Sequence, residues 1–363
     1  MKSLLGIPGA RVMIGLLIGI GLLVLVSRFI NIPVTIHVLQ QNLMTPKGIL
    51  WALLSGVAFL LAFSFRGIRW KLFLHPVVGN KISTFKAVQI FLVSIFINGL
   101  LPIQGGEIAK CLMVKRIAAI PISRSFPTVA MDRSLDLMPA LLIITILPLL
   151  GIHMDIKLWL VLGLVVGLLS GLIFLVGLAA WKREVAITLL QKITKMLPKA
   201  IGGKFEGFAT NFVDSLLLAA SRPRIFLPAI LLTCAALAFD GTFAMLAFWT
   251  IGYSIPFGTA VFGYTVYNMF NILPTPPGQV GSNEAVGLLV FGGLLHLPPN
   301  NVIAMFVFSH PWAILIMFTT ALICMSMLGL TLSRILKAQP EESDVESEEI
   351  LLLEEEELPA YQQ

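Results

Sequence analysis

Apolar positions run along this chain in long unbroken blocks, not in the stripes of a surface helix or the alternation of a half-buried strand. Between residues 225 and 333 only Asp240 and Glu284 carry a formal charge. No water-soluble core is so long and so apolar, whereas a helix needs about 20 apolar residues to cross a bilayer. Six segments meet that requirement: 12–30, 48–66, 127–150, 158–181, 225–250 and 300–331. Two further apolar stretches, 85–104 and 256–297, are broken by Gly, Pro and Asn. The polar segment 182–224 sets Phe205, Phe208, Phe212 and Leu216 on one helical face, the pattern of a helix lying on a membrane surface.

Charge supplies the topology. With the N-terminus in the cytoplasm, 21 Lys and Arg fall inside, Arg28, Lys47 and Lys157 fall outside, and Arg133 stays in the membrane. That asymmetry obeys the positive-inside rule and puts the C-terminus in the cytoplasm too. Both flanks of 85–104 are basic, so that segment enters and returns on the same side as a re-entrant hairpin. The segment 256–297 lies between two spans on the opposite side and forms a second hairpin from outside. Irregular backbone at membrane depth survives only where protein or a wet cavity satisfies it.

The hairpins resemble each other. The first carries Asn98, Pro102, Gly105, Gly106 and then Glu107; the second carries Asn271, Pro274, Pro277, Gly278, Gly281 and then Glu284. Arg133 and His310 each stand 26 residues beyond the glutamate, on the span that follows. The expected fold is therefore an all-α polytopic membrane protein with about six spanning helices and two re-entrant hairpins in an inverted repeat. Repeat 1 covers about 48–150, helix 158–181 connects, 182–224 is a cytoplasmic amphipathic segment, and repeat 2 covers about 225–331. Inverted repeats with broken helices that meet near the midplane are a transporter architecture.

Composition changes the picture in two places. The chain is 57% hydrophobic and 12% charged, with a net charge of +6; an ordinary soluble domain is about 25% charged. Residues 338–363 hold ten acids and no Lys or Arg, so the membrane domain 1–337 carries +16 and the tail reads as disordered. That basic surface suits anionic lipid headgroups, not nucleic acid. Cys111, Cys234 and Cys324 lack metal or redox spacing and read as apolar fillers. Lys2 and Arg11 precede the first apolar run without a cleavage site close behind it, which favours a retained helix over a removed leader.

The candidate chemistry is ionic. An acid within the bilayer with no local partner is a functional candidate, and Glu284 fits that description. Glu107 lines a polar turn or pairs with Lys110. Asp132 and Asp136 share a helical face with Arg133 beside it; Arg133 binds a lipid phosphate or closes a static cluster with Glu107. Asp240 serves proton coupling or a helix-to-helix hydrogen bond. His310 is the repeat partner of Arg133 or a structural histidine. Asn98 and Asn271 satisfy broken helix ends. Arg66, Arg69 and Trp70 read as an interfacial anchor of snorkelling cations and a belt aromatic. No metal-ligand set, Walker-type loop or serine nucleophile elbow is found, so neither metal nor cofactor is expected.

Four motifs, Arg66-Gly67-Ile68-Arg69-Trp70, Asn98…Leu101-Pro102…Gly106-Glu107, Asp132-Arg133…Asp136 and Pro277-Gly278-Gln279-Val280-Gly281…Glu284, resemble in this order the flippase-like family, also described as the lysylphosphatidylglycerol synthase transmembrane region. The resemblance covers about residues 10–335 and implies a bacterial or archaeal protein of the cytoplasmic membrane that acts on lipids. Three departures stand out. Ile103-Gln104 occupy a place where the family often has Arg, which removes a headgroup-binding cation. Asp132-Arg133 replace Glu-Arg, and Gln279 replaces a second Gly. The chain has no room for an aminoacyltransferase domain and should not make lysyl-lipid by itself.

The expectation is a lipid translocase for a phospholipid or polyprenyl-phosphate-linked lipid, its substrate or coupling groups being Glu107, Asp132, Arg133, Asp136, Asp240, Glu284 and His310. The rivals are a membrane-embedded headgroup transferase or hydrolase, and a non-catalytic partner of a separate lipid-synthesising enzyme. Oligomeric state is not legible in the sequence.

Overall fold

The computed structural model describes residues 32–100, 105–145, 156, 163, 223–270, 279 and 281–331. The expected helices 12–30 and 158–181, the segment 182–224, the tail, and Pro102, Asn271, Pro274, Pro277 and Gly278 lie outside the described residues.

Among the described residues every regular element is helical. They are α1 (Ile32–Leu43), α2 (Pro46–Val78), α3 (Thr84–Leu100), α4 (Gly105–Ala118), α5 (Ile122–Thr145), α6 (Pro223–Thr250), α7 (Phe257–Met269), the short α8 (Ser282–Gly287) leading into a π-helical stretch (Leu288–Leu294), and α9 (Pro299–Leu328). Three of the described helices are long and apolar enough to cross a membrane: Pro46–Val78, Ile225–Thr250 and Pro299–Leu328. These contain the expected spans 48–66 and 225–250 and most of 300–331.

Local chemistry sets the ends of α2. Thr45 caps it, its hydroxyl accepting the Gly48 N–H at 3.0 Å, and Pro46 starts the first turn, where a missing N–H is harmless. Gly79 stops the helix at φ +56°, a conformation open to glycine, and its carbonyl accepts from Lys71 Nζ at 2.9 Å. At 33 residues α2 is about 50 Å long, more than the hydrocarbon layer requires.

The α2–α6 pair forms the centre of the molecule. Trp51 meets Trp249 with ring centroids 5.0 Å apart, Phe59 meets Phe243 at 5.2 Å, Phe65 stacks on Phe239 at 5.4 Å, and Arg69 Nη1 donates to Thr233 Oγ1 at 3.0 Å. Positions ascending in α2 meet positions descending in α6, so the two helices are antiparallel. On one side α3 packs on α2 and α4 packs on α3; on the other α7 packs on α6. α5 touches α2, α4, α6 and α7, and α9 touches α1, α3 and α8.

Glycine sets how close the helices come. A Cβ at Gly67 of α2 would stand 2.9 Å from the Cα of Val88 in α3, and one at Gly241 of α6 would stand 2.7 Å from the Cα of Val261 in α7. Small residues of this kind let backbones touch where lipid supplies no hydrophobic drive for helices to associate. The two contacts recur at the interval, to within one residue, of the 174 that separates Arg66 from Asp240. Phe65 and Phe239 stand at that interval as well.

Candidate functional site: a charge network and a glutamate–histidine pair

The first turn of α4 shows how the site is built. Gly106 has no room for a side chain, since a Cβ there would run into the Ser94 carbonyl. Its N–H, one of the donors a helix start leaves unpaired, reaches Asn98 Oδ1 at 2.7 Å. The amide of Asn98 turns its other end to Glu107 Oε1 at 3.2 Å. Asn98 thus pairs the first turn of α4 and also holds the carboxylate.

Glu107 is buried and held by two cations. Lys110 Nζ lies 2.9 Å from Oε2, and the Arg133 guanidinium hydrogen-bonds Oε1. Both partners weighed from the sequence are present. The Lys110 ammonium also sits 4.2 Å from the centre of the Phe91 ring, an added cation–π attraction. From Arg133 the network continues to Asp136 Oδ2 at 3.3 Å, and Asp136 Oδ1 accepts from Arg69 Nη2 at 2.6 Å. Arg69 also donates through Nε to Asp132 Oδ1 at 2.8 Å and through Nη2 to the Asp132 carbonyl at 3.1 Å. Nearby, Arg66 grips Asp240 with both guanidinium nitrogens, and Asn268 Nδ2 reaches Asp240 at 3.4 Å.

The ledger of charge closes. Arg66, Arg69, Lys110 and Arg133 face Glu107, Asp132, Asp136 and Asp240, four against four. Each ion taken from water carries a penalty of several kcal/mol, so a set this deep in an apolar bundle persists only with paired and hydrogen-bonded members. Arg69, Lys110 and Asp132 have fully buried side chains; Asp136 is 25% exposed and Arg133 38%. The network therefore opens to its surroundings at Arg133 and Asp136. Among the described residues the buried atoms Arg133 Nε and Asp132 Oδ2 have no hydrogen-bond partner.

Arg66, Arg69 and Trp70 are not the interfacial anchor expected from the sequence. α2 runs on past them, Arg69 and Trp70 are fully buried, and Trp70 Nε1 donates to Thr128 Oγ1 at 3.3 Å. The cations do not snorkel because acids on α5 and α6 reach them. Their spacing of three within one helix, which places both on one face, was the available signal.

The second glutamate lies apart. Glu284 is the third residue of α8, as Glu107 is of α4. Its Oε2 accepts the Gly281 N–H at 2.8 Å, and its Oε1 lies 3.1 Å from His310 Nδ1. The turn before it is tight, with Gln279 at φ +56° and Gly281 at φ +78°. Both Glu107–Arg133 and Glu284–His310 bridge 26 residues. The sequence-derived residues thus gather as two groups: Glu107, Asp132, Arg133, Asp136 and Asp240 in the network, and Glu284 with His310 beside an open groove of about 470 Å³ on α9. Among the described residues no three His, Cys, Asp or Glu side chains gather as a metal site.

Comparison with known proteins places the chain. Residues 12–322 match the family model described as "Lysylphosphatidylglycerol synthase TM region". A UPF0104 membrane protein of Methanothermobacter thermautotrophicus is 24% identical over 62% of this chain and 70% of its own length. A UPF0104 membrane protein of Pyrococcus horikoshii is 24% identical over 76% of this chain and 85% of its own. No solved structure gives a significant match. With the match running through nearly all of the apolar region, the chain is a multi-pass membrane protein and belongs to the lysylphosphatidylglycerol synthase transmembrane-region family.

Proposed function

We propose that this protein is a translocase that moves a phospholipid or a polyprenyl-phosphate-linked lipid across the cytoplasmic membrane. The observation that carries the reading is that an ionic network inside an apolar helical bundle is most exposed at Arg133 with Asp136. A planar guanidinium on a side chain 38% exposed suits a phosphate oxygen. An arriving headgroup phosphate exchanges with Glu107 or Asp136 on Arg133, and the acid it displaces keeps Lys110 or Arg69. Chains of the lipid stay in the bilayer while the headgroup crosses between the two halves.

The alternating exposure such a path needs follows from an inverted repeat, α2–α5 against α6–α9, with both termini in the cytoplasm. Three relationships support that arrangement. The antiparallel α2–α6 pair carries Arg66–Asp240 and Phe65–Phe239 at its crossing. Gly67 meets Val88 as Gly241 meets Val261. Glu107 meets Arg133 as Glu284 meets His310. Rocking of one half on the other about the α2–α6 contact would expose the network to each side in turn.

The test is reconstitution in vesicles with fluorescent phospholipid in one set and labelled polyprenyl phosphate in another, each read by access of an impermeant quencher or enzyme to the inner leaflet. Accelerated loss of protection for one class is expected. Folded protein that accelerates neither contradicts the reading, and covalent change of the lipid without movement favours a headgroup-modifying enzyme.

A further inference from the structure

The two glutamate pairs differ in one atom-level respect. Glu107 faces Arg133, whose guanidinium stays charged at every pH a cell meets. Glu284 faces His310, and imidazole is the side chain that gains and loses a proton in the physiological range. The first pair is fixed at zero net charge. The second holds −1 with neutral imidazole and 0 once a proton is bound.

We propose that Glu284–His310 is the proton site of this protein and that lipid movement is coupled there to proton movement. This rests on the translocase reading above. Both side chains line the groove on α9 whose apolar walls include Val307, Pro311, Ile314 and Phe318. Pro311 has no N–H for the Val307 carbonyl, which leaves a backbone acceptor at the level of the pair. The groove thus offers a lipid chain an apolar wall and its headgroup a polar end. An anionic headgroup is repelled by the pair at −1 and admitted at 0, so it travels with a proton. The proton comes from water on one side, forms an N–H bond on the imidazole, and returns to water on the other side when that bond breaks; nothing else is made or broken.

The surroundings leave the pair as the switchable element. α7 brings Tyr267 beside Glu284. α6 brings Asp240 and α2 brings Arg66 and Arg69, all three held in ion pairs away from the pair, while the part of α2 that meets α9, where Trp312 donates to the Ala52 carbonyl, follows the exposed Lys47. α3 brings Lys86 only at its start, where Gln89 meets Met327 of α9 and not the pair, and α1 brings His37, which hydrogen-bonds Gln41. α9 itself carries no Asp, Glu, Lys or Arg, and the π-helical stretch carries no ionisable side chain.

The experiment uses the full-length protein in vesicles of neutral lipid holding a labelled anionic phospholipid and a trapped pH dye. One proton per lipid gives about tenfold accumulation per pH unit of imposed gradient, and lipid movement should shift the lumenal pH. His310→Arg, whose longer side chain can extend along the open groove, should lose the gradient response. In nanodiscs, histidine NMR should show one pH-responsive signal in wild type that His310→Gln removes. Lipid movement indifferent to the gradient and silent to the dye overturns the proposal, as does a gradient response that persists in His310→Arg. If that variant does not fold, the NMR comparison decides, and no titration removed by His310→Gln is likewise fatal. Absence of any lipid movement in wild type rejects the translocase reading itself, and the proton role with it.

Discussion

Arg66 on α2 and Asp240 on α6 bind each other through both guanidinium nitrogens at the crossing of the two central helices, 174 residues apart in the chain. Neither is fully sealed: the Arg66 side chain is 14% exposed and that of Asp240 5%. Removing one partner strands the other charge in an apolar setting, a loss of ~3–5 kcal/mol for a buried pair. Asp240→Asn should therefore lower the thermal midpoint of the purified protein clearly. The double variant Arg66→Met with Asp240→Leu should recover most of the loss, because two apolar side chains need no partner. Thermal unfolding in detergent checks both. A double variant as unstable as the single one would mean that the pair does more than neutralise itself.

Gly67 and Gly241 test the proposed repeat through packing. Each faces the Cα of a valine on the next helix with no room for a Cβ. Gly67→Val and Gly241→Val should each destabilise by ~1–3 kcal/mol through overpacking. Equivalent sites should give equal losses within error in matched unfolding curves. A large loss at one and none at the other would deny that the two contacts are the same contact twice.

Asn98 supports the network without carrying charge. Asn98→Ala removes the acceptor for the Gly106 N–H and the donor to Glu107. The lost cap should lower stability by ~1 kcal/mol. Lipid movement should fall further than that small loss of folded protein explains, because Glu107 is then less well placed against Arg133. Asn98→Asp keeps the cap but adds an acid beside Glu107, so it should preserve helix stability better than alanine while still slowing movement. Comparing unfolding midpoints with transport rates separates the two effects.

Much of this was legible in the sequence. The all-helical class, the central spans and the matching intervals from Glu107 to Arg133 and from Glu284 to His310 follow from apolar block length and from Gly, Pro and Asn in the broken stretches. The place of Arg66 and Arg69 is not legible, because a cation at the end of an apolar run snorkels by default, and only the fold shows acids 63 to 174 residues away that hold it in. The sequence marks Lys110 only as a neighbour of Glu107, since its second environment, the Phe91 ring, comes from α3. The π-helical stretch Leu288–Leu294 has no signal in the sequence beyond Gly292 and Gly293.

The central claim is that a lipid headgroup crosses at Arg133. The most direct measurement is the rate of labelled phospholipid or polyprenyl phosphate movement in vesicles carrying equal amounts of folded wild type and Arg133→Ala, with Arg133→Lys beside them. The expected result is a fall of at least about tenfold in Arg133→Ala, the factor that ~1.4 kcal/mol of lost barrier lowering produces, and partial retention in Arg133→Lys, which keeps charge but not the planar fork. Arg133→Ala moving lipid at the wild-type rate would contradict the account.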